Sequence, residues 1–326
     1  MKRDRILTLA PDGVVLTTPE VVSWYLDGVR TTVPFAGASV LAVLVHPDGD
    51  ELRCYVNERD RLVDEWGIDP EPVAWDGSLT AGWTASAEAD LAAELRVARA
   101  SLEPGELERY RVLAREVAAA VTTVASGVRP RDTELAVAAQ LTASVVAIGA
   151  EPVVVLVAGE TRLGYRHPLP TGAELGSRAM LVVGARRNGM IVNLTRWVAF
   201  TASRFDERIA AVEADVLHAT RVGRPIGAVF DDLVASYARH GFDRDEWRNH
   251  HQGGPTGYFG RDPRAVSSLA DLVQHNHAFA WNPSAHGAKA EDTVIATSTG
   301  IEVLTVDPAW PTVVVNGRLR PTPLTP

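Results

Sequence analysis

The sequence predicts an α/β chain of the α+β kind. A small N-terminal α/β domain (residues 1–85) is followed by a larger domain (residues 86–326) in which two helices and then strands occur twice. Three observations lead there. The continuously apolar, β-branched run Val40-Leu41-Ala42-Val43-Leu44-Val45 is followed by the turn Pro47-Asp48-Gly49-Asp50 and the alternating run Glu51 to Val56, which reads as a buried strand in a hairpin. Near Ser86 the texture changes to Ala- and Leu-rich segments at helical spacing. Two stops of similar composition, Gly127-Val128-Arg129-Pro130 and Val222-Gly223-Arg224-Pro225, each divide a long helix from a shorter one.

Taken in order, Gly13 to Thr17 is a short strand, and Asn57 to Trp66 a short helix. Asp69 to Thr84, rich in Pro, Gly, Trp and acid, reads as a linker. Helices are expected over Glu88 to Leu102, Pro104 to Ser126 and Asp132 to Ile148. Strands follow at Pro152 to Ala158, Ala179 to Val183 and Gly189 to Val192. The pattern then returns: helices over Phe205 to Thr220 and Ile226 to His240, strands near Ala278 to Trp281, Asp292 to Thr297 and Ile301 to Leu304. The matching order of elements, more than any identity of residues, indicates an internal duplication.

Composition bounds the function. The 326 residues are 46% hydrophobic and 22% charged, ordinary for a folded chain of about two domains. Lys and Arg number 32 against 41 Asp and Glu, a net charge of -9 that argues against a nucleic-acid partner. No run is long and apolar enough for a membrane span or a signal-peptide core. The single cysteine, Cys54, forbids an intramolecular disulfide and sits in an alternating strand as a small core residue. A cytoplasmic location is the expectation. No Gly-x-x-x-x-Gly-Lys-Ser/Thr phosphate loop or Gly-x-Ser-x-Gly elbow occurs, and His275-Asn276-His277 is too closely spaced for a zinc site, so His277 and His286 read as loop residues.

Four local stretches carry a resemblance. His167-Pro168-Leu169-Pro170-Thr171 follows an expected strand. Gly184 to Arg196 reads as a Gly-Ala hairpin that closes on Asn193-Leu194-Thr195-Arg196. His250-His251-Gln252-Gly253-Gly254-Pro255-Thr256-Gly257 is a His/Gly-rich motif. Glu291-Asp292-Thr293-Val294 is followed by Gly300-Ile301-Glu302-Val303-Leu304-Thr305. In this order, with Pro19 to Gly28 near the start, the chain resembles the pita-bread family of methionine aminopeptidase, aminopeptidase P, prolidase and creatinase over nearly its whole length. The resemblance implies a creatinase-like N-terminal domain, a pita-bread domain with duplicated ααββ order, and a homodimer.

The peptidases of that family hold two divalent metals with two Asp, one His and two Glu. Carried over position by position, these become Val182, Asn193, Gly254, Asn282 and Glu291. Two metals need several anionic oxygens. Val and Gly offer no side-chain ligand and Asn only a neutral carbonyl, so the metal site is expected to be lost, with no cofactor in its place.

What remains is polar. Asn193 and Asn282 keep roughly the shape of the lost carboxylates but carry a donor as well as an acceptor; they hold a ligand or merely fill space. His167, where the resemblance places a substrate-contacting histidine, titrates near neutral pH and suits acid–base work. His250 aligns with the motif's histidine and His251 is extra; on an extended chain the two face opposite sides, so at most one faces the cleft. Glu291 is a candidate base, a group that binds a cationic substrate, or a structural carboxylate. Arg261 offers a bidentate clamp for a carboxylate. Tyr258 is a candidate pocket wall, and Arg30 a residue that could reach a partner's cleft. The catalytic set is thus His167, His250, His251 and Glu291, and the substrate-binding set Asn193, Asn282, Arg261, Tyr258 and Arg30.

The function this implies is a metal-independent, creatinase-type enzyme cleaving a C–N bond, by hydrolysis, in a small polar amino-acid-like molecule. The alternative is a non-catalytic pseudopeptidase that binds a peptide or small ligand. An active Xaa-Pro peptidase fits the ligand count least well.

Overall fold

The computed structural model describes residues 2–201 and 206–326, which form two compact units: residues 1–100 with 188–190, and residues 101–187 with 191–326.

In the first unit, β1 (Val14–Leu16), β2 (Leu41–Val45) and β3 (Glu51–Tyr55) form an antiparallel meander. β4 (Glu71–Val73) and β5 (Ser86–Ala87) extend it in parallel at its two edges, giving the order β4-β3-β2-β1-β5. Every residue of β2 is buried, as expected of a central strand that is apolar on both faces. Four helices complete the unit: α1 (Lys2–Leu9), α2 (Pro19–Tyr25), α3 (Arg59–Trp66) and α4 (Ala92–Ala100). Pro19 opens α2 with φ already set for a helix. Gly67 closes α3 in the left-handed conformation, φ +65°.

Two expectations change here. The stretch read as a linker contributes β4. The units meet at residues 100 and 101 instead of near 85, because Ser86 and Ala87 pair with Val14 and Val15, and α4 packs on α1. Composition marks the onset of helix at 86, but long-range pairing decides which unit holds it. Neither α1 nor α2 was expected as a helix; both are short, and the first half of α1 is charged.

The second unit carries the duplication. Helices α5 (Pro104–Gly127) and α6 (Glu134–Ala147) precede the antiparallel sheet of β6 (Glu151–Gly159), β7 (Arg178–Arg187) and β8 (Met190–Ala199). Helices α7 (Glu207–Ala219) and α8 (Ile226–Arg239) precede a second sheet, built from β9 (Gly253–Pro255), β10 (His277–Trp281), β13 (Asp292–Thr297) and β14 (Gly300–Val303) in the order β14-β13-β10-β9. Two small ribbons, β11 (Ser284–Ala285) with β12 (Ala288–Lys289) and β15 (Thr312–Val315) with β16 (Arg318–Pro321), finish the chain.

Local chemistry explains the helix ends. Glu103 and Glu106 form a reciprocal capping box at α5, with Pro104 at its first position. Thr133 caps α6, its hydroxyl accepting from the Ala136 amide at 3.2 Å. In α5, Leu107, Tyr110, Ala114, Val117 and Val121 recur at three- and four-residue steps and are all buried. Phe205, the expected first residue of α7, lies outside the described residues. His277, read as a loop residue, instead opens β10 opposite Ala296. It is buried against Phe279, and burial pulls its imidazole down to about 3.

The two sheets are knit together where β8 meets the start of β13. The Thr195 amide donates to the Glu291 carbonyl at 3.0 Å. The Thr293 hydroxyl accepts from the Asn193 amide at 2.7 Å and donates to the Asn193 carbonyl at 2.9 Å. This seam brings two distant motifs to one place.

Candidate active site

Extended chain alternates its side chains, so residues two apart share a face. Around the seam, Lys289 and Glu291 fall on one face and Asp292 on the other. Lys289 and Glu291 enter a cleft of about 460 Å³ within the second unit. Its walls also bear Val182 of β7, Asn193 of β8, Asn282 just after β10, and Arg261, Arg264 and His251 from the chain between α8 and β10. His167 completes it.

Four of the five positions equated with metal ligands gather here. Val182, Asn193, Asn282 and Glu291 line the cleft, and Gly254 is buried on β9. Gly254 has φ +136°. A Cβ there would come within 2.8 Å of the Ala265 amide nitrogen and 3.1 Å of the Pro263 carbonyl oxygen. The position has lost its side chain, and the space for one has been filled by the backbone of residues 263–265.

Glu291 is the only surviving carboxylate, and it is fully engaged. The Lys289 ammonium lies 3.0 Å from its Oε2, Arg261 Nη2 donates to its Oε1 at 2.7 Å, and the Thr195 hydroxyl donates to its Oε2 at 3.0 Å. Burial alone would raise this carboxyl, but the two cations outweigh it and hold it down to about 2. Two metal ions do not fit this donor set. Two positions lack a side-chain ligand, two are neutral amides, and the one anion is already paired with an ammonium and a guanidinium.

The histidines form a second cluster. His250 Nε2 and His167 Nε2 are 3.0 Å apart, and His250 Nδ1 lies 3.2 Å from the Ser284 hydroxyl. The rings of His250 and His251 are 4.3 Å apart, and that of His251 is 5.7 Å from His167. Both rings of the pair contact His167, and His251 is the one that lines the cleft with it. The chain is not flat here. It leaves a 3-10 turn at Asn249 and enters Gly253 with φ +86°. Gln252 fixes the bend, its amide donating to the His250 carbonyl at 2.6 Å and its oxygen accepting from the Tyr237 hydroxyl at 2.6 Å.

Among the described residues these three imidazoles are the one group of three whose ligand atoms lie within 4.8 Å of one another, the spacing of a metal-binding triad. The charges around them oppose a cation. Burial lowers all three. Lys289 lowers His250 and His167 further, and Arg261 and Arg264 lower His251, so that His250 falls to about 2 and His251 to about 4. At neutral pH the cluster is uncharged.

Tyr258 and Arg30 stand elsewhere. The Tyr258 hydroxyl donates to the buried Glu106 carboxylate at 2.7 Å, an anchor for α5. Arg30 belongs to the first unit, where its guanidinium donates to the carbonyls of Thr32 and Val33.

Sequence reasoning missed Lys289, Arg264, Ser284 and Thr195. Lys289 had a signal: it precedes Glu291 by two in an extended segment, so it shares the carboxylate's face. The others had none, because the elements that bear them meet the cleft only in the folded chain.

No protein-family model matches the sequence, and no curated protein does. Solved structures do. A prolidase from Pyrococcus horikoshii superposes with a TM-score of 0.78 at 16% identity, covering 94% of this chain and 98% of that one. An Xaa-Pro dipeptidase from Bacillus anthracis gives 0.73 at 15%, covering 94% and 97%. The dipeptidase PepE from Mycobacterium ulcerans gives 0.74 at 18%, covering 94% of each. Over nearly its whole length, then, the chain has the pita-bread fold that these prolidases and dipeptidases share, in a divergent form whose metal-ligand positions are mostly substituted.

Proposed function

We propose that this chain is a metal-independent hydrolase that cleaves a C–N bond in a small, polar, amino-acid-like molecule. One observation carries the reading: the lone carboxylate of the cleft is paired with Lys289 and Arg261, in the same cleft as uncharged imidazoles. The protein itself supplies the positive charge there, and the imidazoles supply a proton carrier.

In the proposed reaction His167 accepts a proton from water as the water oxygen bonds to the electrophilic carbon. The C–N bond then breaks, and His167 returns the proton to the leaving nitrogen, giving an acid and an amine. His250, tied to Ser284, orients His167 through their shared 3.0 Å contact. Lys289 and Arg261 offset the negative charge that grows on the substrate oxygen in the transition state. Glu291, held down to about 2, stays ionised and anchors the two cations instead of serving as a base.

The purified protein is expected to contain less than one equivalent of divalent metal and to keep its activity in EDTA. Stoichiometric zinc, manganese or cobalt, or activity lost to the chelator, overturns the reading. His167→Ala separates it from a pure binding protein. Turnover lost with ligand binding intact supports hydrolysis, whereas binding without turnover in the wild type supports a pseudopeptidase.

A further inference from the structure

Four buried polar atoms of residues that line the cleft lack a hydrogen-bond partner among the described residues: Asn193 Nδ2, Asn282 Oδ1, His251 Nδ1 and Arg261 Nε. Asn193 is 8% exposed and Asn282 is 2% exposed, so bulk water does not readily repay them. An orphaned buried donor or acceptor is costly, and such groups mark a place where a ligand completes the hydrogen bonding.

The charge balance says what kind of ligand. Lys289, Arg261 and Arg264 line the cleft against one carboxylate, Glu291, and the imidazoles are neutral, so the walls carry an excess of two positive charges. Arg264 is exposed at the cleft and makes no hydrogen bond or ion pair among the described residues. Such a surface attracts an anion and repels a cation.

We propose that the cleft takes a small carboxylate with an N–H beside it, the carboxylate accepting from Asn193 Nδ2 and from the Arg261, Arg264 and Lys289 side, and the N–H donating to Asn282 Oδ1. The amides divide the labour: one buried donor faces the anion, and one buried acceptor faces the nitrogen. This rests on the hydrolase reading in that both concern one cleft, but it names the charge of the substrate, and binding tests it apart from turnover.

Isothermal titration calorimetry on the full chain with three probes decides it: N-acetylglycine, its neutral amide N-acetylglycinamide, and N-acetylsarcosine, which keeps the carboxylate but lacks the N–H. N-acetylglycine is expected to bind about tenfold or more tightly than either of the others. Arg264→Gln, an exposed change that leaves the fold intact, is expected to weaken N-acetylglycine about tenfold without altering the neutral amide. Equal affinity for acid and amide, no binding of either, or an unchanged affinity in Arg264→Gln overturns the proposal. Binding of the acid without hydrolysis of any probe upholds it and counts against the hydrolase reading instead. Preferential hydrolysis of the neutral amide does the reverse.

Discussion

Glu291 and Asp292 are neighbours in the chain, and each is paired with two cations, yet they belong to opposite kinds of charge cluster. Glu291 faces the cleft with Lys289 and Arg261, and unpartnered polar atoms surround it. Asp292 faces the other way into a buried cluster. Arg196 donates to its Oδ1 at 2.8 Å and to the Thr305 carbonyl at 2.6 Å, and the Thr305 hydroxyl donates to Oδ1 at 2.6 Å. Arg320 of β16 pairs with both Asp292 and Glu213, lying 2.6 Å from Glu213. That cluster sets two arginines against two acids, and all four are at most 5% exposed. It pins the C-terminal ribbon to α7 and β13. A buried cluster of paired charges serves structure; one that lines the larger cleft, with cations to spare and orphaned amides, serves binding.

The largest test of this contrast is removal of each carboxylate. Asp292→Asn leaves two buried arginines against the single acid Glu213 and is expected to cost about 3–5 kcal/mol in urea unfolding. Glu291→Gln frees cations that border a cleft, and is expected to cost less, about 1–3 kcal/mol. Equal losses at the two sites would erase the distinction.

Next comes Gly254. Gly254→Ala puts a Cβ against the backbone of residues 263–265 at a φ that disfavours side chains, and is expected to destabilise by about 1–3 kcal/mol, read from the same unfolding curves. A neutral result would mean that the cleft can still admit a side chain where the resemblance places a ligand.

The pH dependence should differ in sign between Glu291 and Glu213. Glu291 has its carboxyl lowered on folding, so its contribution is complete above about 4.5 and is lost as pH falls toward about 2. The histidines act in the same direction. His250, His251 and His277 are lowered from 6.5, so stability should already decline as pH drops below about 6.5. Glu213 is the opposite case: burial, only partly offset by Arg320, raises it to about 7. Its contribution is complete below about 4.5 and is lost as pH rises through about 7. Melting curves from pH 5 to 8 should show Glu213→Gln losing its penalty relative to wild type toward the alkaline end, and His277→Phe flattening the acid side. The same sign at Glu291 and Glu213 would break the comparison.

The smallest expected effect on stability is that of His167→Ala. His167 is exposed at the cleft, so its melting temperature should stay near that of wild type while turnover is lost. A large drop in melting temperature would make the residue structural.

Much of this was open to reading in the sequence. Strand β2 announced itself by its apolar run, α5 and α6 by their spacing and stops, and the duplication by the order of elements. The substitutions at Val182, Asn193, Gly254 and Asn282 were equally plain, because residue type alone says whether a side chain can donate to a metal. Short-range rules sufficed for these elements, and the resemblance placed the substituted positions. The rules failed for α1, whose helix rests on packing against α4, and for His277, whose strand is set by pairing across to Ala296.

From the chain alone came the chemistry that is missing: one carboxylate where five ligands would stand. Tertiary structure decided what replaced it. Only folding brings Arg261, 30 residues away, and Thr195, 96 residues away, onto Glu291, and places two consecutive histidines beside a third. The reason is one of range. Donor capacity belongs to single residues, whereas the charge and hydrogen-bond balance of a cavity depends on the approach of segments that the sequence keeps far apart.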